Sequence, residues 1–197
     1  GMTLRCQRCH PEQREGSSNQ NNVCTCIPDI KVPWDISRFA HLFTLGLGYQ
    51  HARQDSDEAR ATRYTQAFIK QITNWQQHNP FLIGVNWANP MEVAIRSINF
   101  IWAHSFFVSD QTIEKSFWQR YTAMLYDHAA YLEHNQEVSD KPNNHYIADL
   151  VGELYLITFL VDIKKYYQKH TRVLKNLIKQ FKHQILPDHT SYEGSTS

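Results

Sequence analysis

Apolar residues recur at intervals of three and four along most of the chain, from residue 29 onward. This interval is the period of an α-helix that buries one face, whereas a strand would alternate apolar and polar positions. The pattern predicts six helices, over residues 33–54, 57–78, 89–106, 110–132, 144–161 and 162–186. No stretch alternates convincingly. The predicted fold class is therefore all-α, with antiparallel helix pairs around a shared core.

The same spacing predicts which face of each helix is buried. In the first helix the predicted buried positions are Ile36, Phe39, Ala40, Phe43 and Leu47. In the fifth helix they are Ile147, Leu150, Val151, Leu154, Thr158 and Val161. In the sixth helix they are Tyr166, Val173, Leu177, Phe181 and Ile185, opposite a lysine-rich face.

Residues with capping chemistry mark the starts of the second and third helices. Asp57, or Ser56 beside it, precedes the second helix. Asn89 precedes the third helix, with Pro90 at its first position and Glu92 at the capping-box position. An Asn or Asp side chain at this place accepts a hydrogen bond from a free backbone N–H of the first turn. These residues therefore predict where the two helices begin.

The stretch of residues 140–152 places chemistry-capable side chains at the start of the fifth helix. Pro142 and Asn143 give a turn and a cap, and Asn144 and His145 follow at once. The N-terminus of a helix has free N–H groups and a positive dipole end, which favour an anion such as a carboxylate. The alternative is that Asn143 or Asn144 only caps the helix and that His145 is a polar neighbour.

A second informative stretch, residues 84–96, places an Asn–Trp pair before the third helix. An exposed Trp87 would stack on a sugar ring, and the Asn86 amide would bond its hydroxyls. Arg96 lies one turn after Glu92, where it would pair with that carboxylate or contact an acidic ligand. The alternative is a buried tryptophan beside an ion pair of Glu92 and Arg96.

His128 falls on the apolar side of the fourth predicted helix. A lone histidine in this position is commonly a core residue with one hydrogen bond rather than a catalyst. The sequence contains no His-Glu-x-x-His zinc motif, no Gly-x-Ser-x-Gly nucleophile motif and no phosphate-binding glycine loop.

Residues 1–28 differ from the rest, being polar and without periodicity, and we expect a mobile extension ahead of one helical domain at 29–197. All four cysteines lie in this extension: Cys6, Cys9, Cys24 and Cys26. Cys6 and Cys9 have the spacing of zinc ligands, whereas the single residue between Cys24 and Cys26 is less usual. The alternative is that the thiols are incidental.

Composition limits the class of partner. The chain has 197 residues, enough for one domain with a sizeable core, and its formal net charge of +1 gives no reason to expect nucleic acid. No apolar run approaches the roughly 18 residues of a membrane span, and no signal peptide is visible. We expect a cytoplasmic location if Met2 is the natural start, and a periplasmic one if the sequence lies inside a longer protein.

Four groups of residues resemble, in order and rough spacing, the N-terminal helical domain of the heparinase II/III superfamily of polysaccharide lyases, which includes alginate and oligoalginate lyases. The groups are residues 29–39; residues 84–87 with Met91, Glu92 and Arg96; His128, Asn135 and residues 143–146; and residues 192–197. Each group is weakly specific alone, and together they are fairly specific.

The resemblance implies an incomplete (α/α) toroid, normally followed by a β-sandwich domain, and β-elimination of a uronic-acid-containing glycan. It implies that Asn144 hydrogen-bonds the substrate carboxylate, and that His145 helps to neutralise it or takes part in proton abstraction. This mechanism needs no metal or other cofactor. By the same resemblance we expect the substrate to contact Asn86, Trp87, Glu92, Arg96 and His128.

Two features depart from the family. Residues 192–197 resemble the start of the segment that carries the family's acid/base tyrosine, and the sequence ends before that tyrosine. Tyr192 matches the aromatic position before Glu193, so we do not assign it the acid/base role. The β-sandwich is also missing, and residues 1–28 do not match. We therefore expect little or no lyase activity from this chain as it stands.

Two further hypotheses come from other functional classes. The chain is a non-catalytic module that binds acidic glycans through Trp87 and Arg96, or it is a helical interaction domain with a zinc-bound N-terminal arm.

Overall fold

The computed structural model of the chain describes residues 29–139, 143–160 and 163–191. Its α-helices are α1 Lys31–Ser37, α2 His41–Gln54, α3 Glu58–His78, α4 Pro90–Phe107, α5 Lys115–Asn135, α6 Asn144–Leu160 and α7 Ile163–Gln184, with a 3-10 turn at Val85–Trp87. Within these ranges there is no β-strand, only an isolated bridge between Ile185 and Ser191. The prediction of an all-α fold is confirmed.

The prediction of a single helix over residues 33–54 is wrong, because α1 and α2 occupy this part of the chain. Phe39 lies between α1 and α2 with a φ of 59°, a left-handed conformation that does not continue a right-handed helix. The break changes the phase of the buried face: Leu42 and Tyr49 are buried. Of the predicted stripe, Phe39 is buried, whereas Ile36, Ala40, Phe43 and Leu47 are exposed.

Helix α4 lies at the centre of the fold and packs against α2, α5 and α6. Its buried face inserts Phe100 and Phe107 into a cluster of aromatic rings. The rings of Phe68 and Phe107 are stacked with centroids 4.4 Å apart. The hydroxyl of Tyr121 donates to the Phe100 carbonyl over 2.7 Å, so the core satisfies a polar group that it buries.

Helix α6 packs against α4, α5 and α7 and is therefore buried on more than one side. The prediction that Ile147, Val151, Leu154 and Thr158 form its buried face is wrong in part, since the first three are half-buried and Thr158 is exposed. Val161, predicted to continue that face, lies outside the described residues. The buried residues of α6 are Tyr146, Asp149, Leu150, Gly152, Glu153, Leu156 and Ile157. Two carboxylates thus lie on the inner side of this helix.

Helix α7 packs against α6. Val173 and Leu177 are buried, as the spacing predicts. Phe181 and Ile185, predicted to share that face, are 42% and 44% exposed, and the side chain of Tyr166 lies outside the part that the structure describes. No helix among the described residues combines the length and the apolar character that crossing a bilayer requires.

The contact between α4 and α6 depends on the absence of a side chain at Gly152. A Cβ added there would lie 2.6 Å from the Ala94 Cβ and 2.7 Å from the Ala94 Cα. We expect Gly152→Ala to lower the free energy of unfolding by roughly 1–3 kcal/mol, because overpacking outweighs the better helix propensity of alanine. Urea unfolding followed by tryptophan fluorescence measures the change.

The double variant Ala94→Gly with Gly152→Ala is the matched control. It removes one of the two clashing groups and leaves the Ala94 backbone in place, so we expect partial recovery relative to the sum of the single variants. A Gly152→Ala variant that is more stable than the wild type, as at an open helix position, would contradict the close approach.

Candidate functional site

The start of α6 is held by polar contacts from both sides. Asn143 caps the helix, its side-chain oxygen Oδ1 accepting a hydrogen bond of 3.1 Å from the backbone N–H of His145. The Asn143 carbonyl accepts a bond of 3.0 Å from the Gln184 side chain at the end of α7. Of the two asparagines, Asn143 is thus the cap, and Asn144 presents an exposed side chain in the first turn.

His145 contacts the segment that precedes the helix. Its ring nitrogen Nδ1 lies 2.8 Å from the carboxylate oxygen Oε2 of Glu137. Both side chains are about one-third exposed, at 33% and 30%. The pair therefore lies at the surface of the molecule beside the first turn of α6.

Two buried carboxylates of α6 accept hydrogen bonds from residues 136 and 137, which follow α5. Asp149 accepts a hydrogen bond of 2.8 Å from the backbone N–H of Glu137. Glu153 accepts one from the side-chain amide of Gln136, and its other oxygen lies 3.4 Å from the ammonium of Lys169. Buried carboxylates need such donors, and these two bonds fix residues 136 and 137 to α6.

The environment of Asp149 shifts the pKa of its carboxyl group. It is fully buried, and burial raises its pKa to about 6. Its second oxygen, Oδ1, has no hydrogen-bond partner among the described residues. Burial also raises the pKa values of Tyr131 and Tyr146. Asp149 therefore lies in a poorly solvated environment, in which a carboxylate readily takes up a proton.

A second polar cluster surrounds Arg96, which is fully buried. Its guanidinium carbon lies 4.6 Å from the ring centroid of Trp75 and 5.3 Å from that of Trp87. It donates from Nε to His128 Nε2 and from Nη2 to the Asn86 carbonyl, each over 3.0 Å. Burial lowers its pKa to about 9, so the group stays charged at neutral pH, stabilised by ring faces and neutral acceptors.

The contact with Arg96 determines the state of His128. Because Nε2 accepts from a guanidinium, the ring proton lies on Nδ1, which donates to the Met124 carbonyl over 2.7 Å. Burial, and secondarily the charge of Arg96, hold the pKa of His128 well below its usual range. His128 is therefore a neutral core histidine, the alternative that its position favoured.

The Asn–Trp pair is not exposed, and the alternative of a buried tryptophan is the one that the structure shows. Trp87 is 6% exposed and Asn86 7% exposed, because the indole packs between His128 and Tyr131, with ring centroids 4.8 and 5.6 Å away. A contact of the Trp87 ring face with a sugar would displace these neighbours. The edge of Trp87 still lines a surface groove of about 360 Å³ with Trp75, Gln76, Phe81 and Arg120.

The other part of that alternative, an ion pair between Glu92 and Arg96, is wrong. Glu92 instead forms a bidentate pair with Arg38, with both nitrogen–oxygen distances at 2.7 Å. This pair ties α4 to the residue after α1, and it fits the fork geometry of an arginine better than a helical neighbour would. The Asn89 cap predicted for this helix is confirmed, since its Oδ1 accepts from the Glu92 N–H over 3.2 Å.

The structure thus divides the predicted site residues into two groups. Asn144 and His145 are adjacent at the surface, where a ligand can reach them. The other five, Asn86, Trp87, Glu92, Arg96 and His128, are all buried. Their contact with substrate stays a prediction, and their observed contacts are structural.

The zinc hypothesis concerns cysteines that the structure does not describe. Cys6, Cys9, Cys24 and Cys26 lie outside the described residues, as do residues 192–197, so zinc binding stays a prediction. Among the residues that the structure describes, no three His, Cys, Asp or Glu side chains form a group able to hold a metal ion.

Sequence reasoning missed Glu137, Asp149 and Glu153. One signal was available for the last two: carboxylates four residues apart in an otherwise apolar helix are rarely buried without a role. Glu137 gave no signal, because it lies in a polar segment and its partner follows eight residues later.

Comparison with known families decides the relationship of the chain. The model of the family described as heparinase II/III N-terminus matches residues 19–197. The chain belongs to this family. The matched span covers both polar clusters described above and begins inside the predicted extension, so the expectation that residues 1–28 do not match the family is wrong for residues 19–28. No curated protein and no solved structure matches the chain.

The raised pKa of Asp149 predicts how stability depends on pH. The folded state holds this proton more tightly than the unfolded chain, so stability falls as pH rises from about 4 to about 6 and stays lower above that. The substitution Asp149→Asn removes the charge and keeps an acceptor for the Glu137 N–H. We expect this variant to be more stable than the wild type by roughly 1–2 kcal/mol at neutral pH, after allowing for solvent screening.

Urea unfolding of both proteins at several pH values measures this difference. The advantage of the asparagine variant should shrink as pH falls from about 7 to about 4, because the wild-type carboxylate is then protonated. A difference that does not change with pH would show that burial of this charge is not its cause.

Proposed function

We propose that this chain is the helical domain of a polysaccharide lyase and that the start of α6 binds a uronate carboxylate of an acidic glycan. Membership of the heparinase II/III N-terminal family supports the lyase relationship. The reaction implied is β-elimination, in which a base removes the proton beside the carboxylate and the glycosidic oxygen leaves. The carboxylate must be neutralised for that proton to become acidic enough.

The adjacent placement of Asn144 and His145 beyond the Asn143 cap carries this proposal. The cap uses the N–H of His145, and the other N–H groups of a first helical turn have no acceptor within the helix. The dipole of α6 adds a positive end at the same place. An amide, an imidazole and a helix end together suit an anion with two oxygens.

The acidic side chains near this place do not oppose the proposal. Glu137 faces His145, and Glu153 faces Lys169. Asp149 lies below the surface, with a pKa raised to about 6. Lys169 balances the charge of Glu153, the charge of Asp149 is partly removed near neutral pH, and the charge of Glu137 is balanced when His145 is protonated. In this proposal the Asn144 amide and the outer ring edge of His145 contact the ligand.

A second candidate is a non-catalytic module that binds an acidic glycan in the groove beside Trp87. The groove of about 360 Å³ supports it, because it combines aromatic edges with Gln76 and Arg120. The buried position of Arg96 counts against its predicted role as the cation that contacts the ligand. In this candidate Arg120 takes that role.

Calorimetric titration with oligosaccharides from alginate, heparan sulfate and hyaluronan tests the leading proposal. We expect one acidic series to bind, and Asn144→Ala and His145→Ala each to weaken its affinity about tenfold or more, because each removes a hydrogen bond to a charged group. The matched control is His134→Ala, which removes another exposed histidine, with Nδ1 bonded to the Ala130 carbonyl, and should leave affinity unchanged.

The variant Trp87→Ala separates the two candidates. Affinity that survives Asn144→Ala and His145→Ala but is lost in Trp87→Ala would favour the glycan-binding module. Binding that none of these three variants changes would contradict both candidates. Absorbance of unsaturated uronate products, followed in the same samples, reports whether binding is accompanied by β-elimination.

A further inference from the structure

The orientation of the His145 ring is set by a residue outside the family resemblance. Glu137 Oε2 lies 2.8 Å from Nδ1 of the ring. An ionised carboxylate can only accept a hydrogen bond, so Nδ1 carries a proton and donates it. In the neutral imidazole the other nitrogen, Nε2, is then unprotonated, and it is the one ring nitrogen left for a ligand.

Glu137 is itself held in place by buried chemistry. Its backbone N–H donates to Asp149 Oδ2 over 2.8 Å. The preceding residue, Gln136, donates its side-chain amide to the buried Glu153, and its carbonyl accepts from the Val138 N–H over 2.8 Å. A partly exposed glutamate in a connecting segment would ordinarily sample several positions. Here the segment is anchored to α6, the helix that also carries His145.

Two residues of the same helix, α6, bind Glu137. His145 and Asp149 are four residues apart, on the same side of α6. One binds the side chain of Glu137 and the other binds its backbone. The distance between the ring and the carboxylate is therefore fixed by helix geometry rather than by the flexible side chains alone.

We propose that Glu137 is a positioning residue that holds His145 as the Nδ1–H tautomer and directs its Nε2 toward the ligand. Only the identity of that ligand, a uronate carboxylate or the proton beside it, rests on the proposed function. In the neutral ring Nε2 accepts a proton. In the protonated ring it donates to a carboxylate, while Glu137 balances the imidazolium charge.

Nitrogen-15 NMR of the histidine rings at about pH 8, where an ordinary histidine is neutral, tests this proposal. We expect His145 in the wild type to be protonated at Nδ1 and unprotonated at Nε2. In Glu137→Ala it should revert to the mixed tautomers of an exposed histidine. In Glu137→Gln the wild-type tautomer should return, because the side-chain amide oxygen still accepts the proton.

His78 and His134 are internal references in the same spectra. Their Nδ1 atoms face the carbonyls of Asn74 and Ala130 at 2.8 and 2.9 Å, so all variants should leave their signals unchanged. A His145→Gln variant assigns the His145 signals. A wild-type His145 protonated at Nε2, or a tautomer that Glu137→Ala does not alter, would overturn the proposal.

Titration with the acidic oligosaccharide that binds best separates this proposal from the proposed function. We expect Glu137→Ala to weaken binding roughly three- to tenfold, and Glu137→Gln to stay near the wild type, since one orienting hydrogen bond is lost or kept. If the tautomer results hold and no acidic oligosaccharide binds, the positioning role stands and the proposed function fails. If an acidic oligosaccharide binds and the tautomers do not respond, the proposed function stands and the positioning role fails.

Discussion

The depth at which α6 lies against α4 determines the rest of the site. Gly152 brings the two backbones together at Ala94, and the residues around it on the same helix are buried as a consequence. Asp149 and Glu153 are carried into the interior in this way. Buried carboxylates are costly unless donors reach them, and these donors come from Gln136, Glu137 and Lys169. Close packing thus creates the need for polar contacts, and those contacts fix residues 136 and 137, which follow α5, to α6.

The core contains two buried polar clusters. In one, Arg96 is surrounded by Trp75, Trp87 and His128. In the other, Asp149 accepts a hydrogen bond from the Glu137 N–H. Tyr131 lies between them, because its ring packs against Trp87 and its pKa responds to the charges of both clusters. Three atoms in these clusters, Arg96 Nη1, Asn86 Oδ1 and Asp149 Oδ1, have no hydrogen-bond partner among the described residues. The clusters are therefore only partly satisfied, and their burial costs stability.

Local signals made the starts of three helices predictable, whereas the start predicted at residue 110 is wrong, because α5 begins at Lys115. Asp57, Asn89 and Asn143 each cap the helix that follows, because capping depends on only three or four consecutive residues. The all-α class followed in the same way from the period of the apolar positions. The left-handed Phe39 that divides the first predicted helix had no local signal, since glycine or asparagine is the usual residue there.

Long-range contacts explain the remaining errors. Trp87 is buried because α3 and α5 supply Trp75, His128 and Tyr131 around it, which no spacing near residue 87 reveals. Glu92 selects Arg38, 54 residues away, over the neighbour one turn along its own helix. Sequence reasoning found the exposed pair at the start of α6, and it missed the residues that hold this pair in place.

A structure of the chain with a bound acidic oligosaccharide tests the central claim most directly. We predict a uronate carboxylate within hydrogen-bond distance of the Asn144 side-chain amide, with Nε2 of His145 facing the same sugar and Nδ1 still bonded to Glu137. A sugar seated in the groove beside Trp87, with no contact to Asn144 or His145, would contradict this claim.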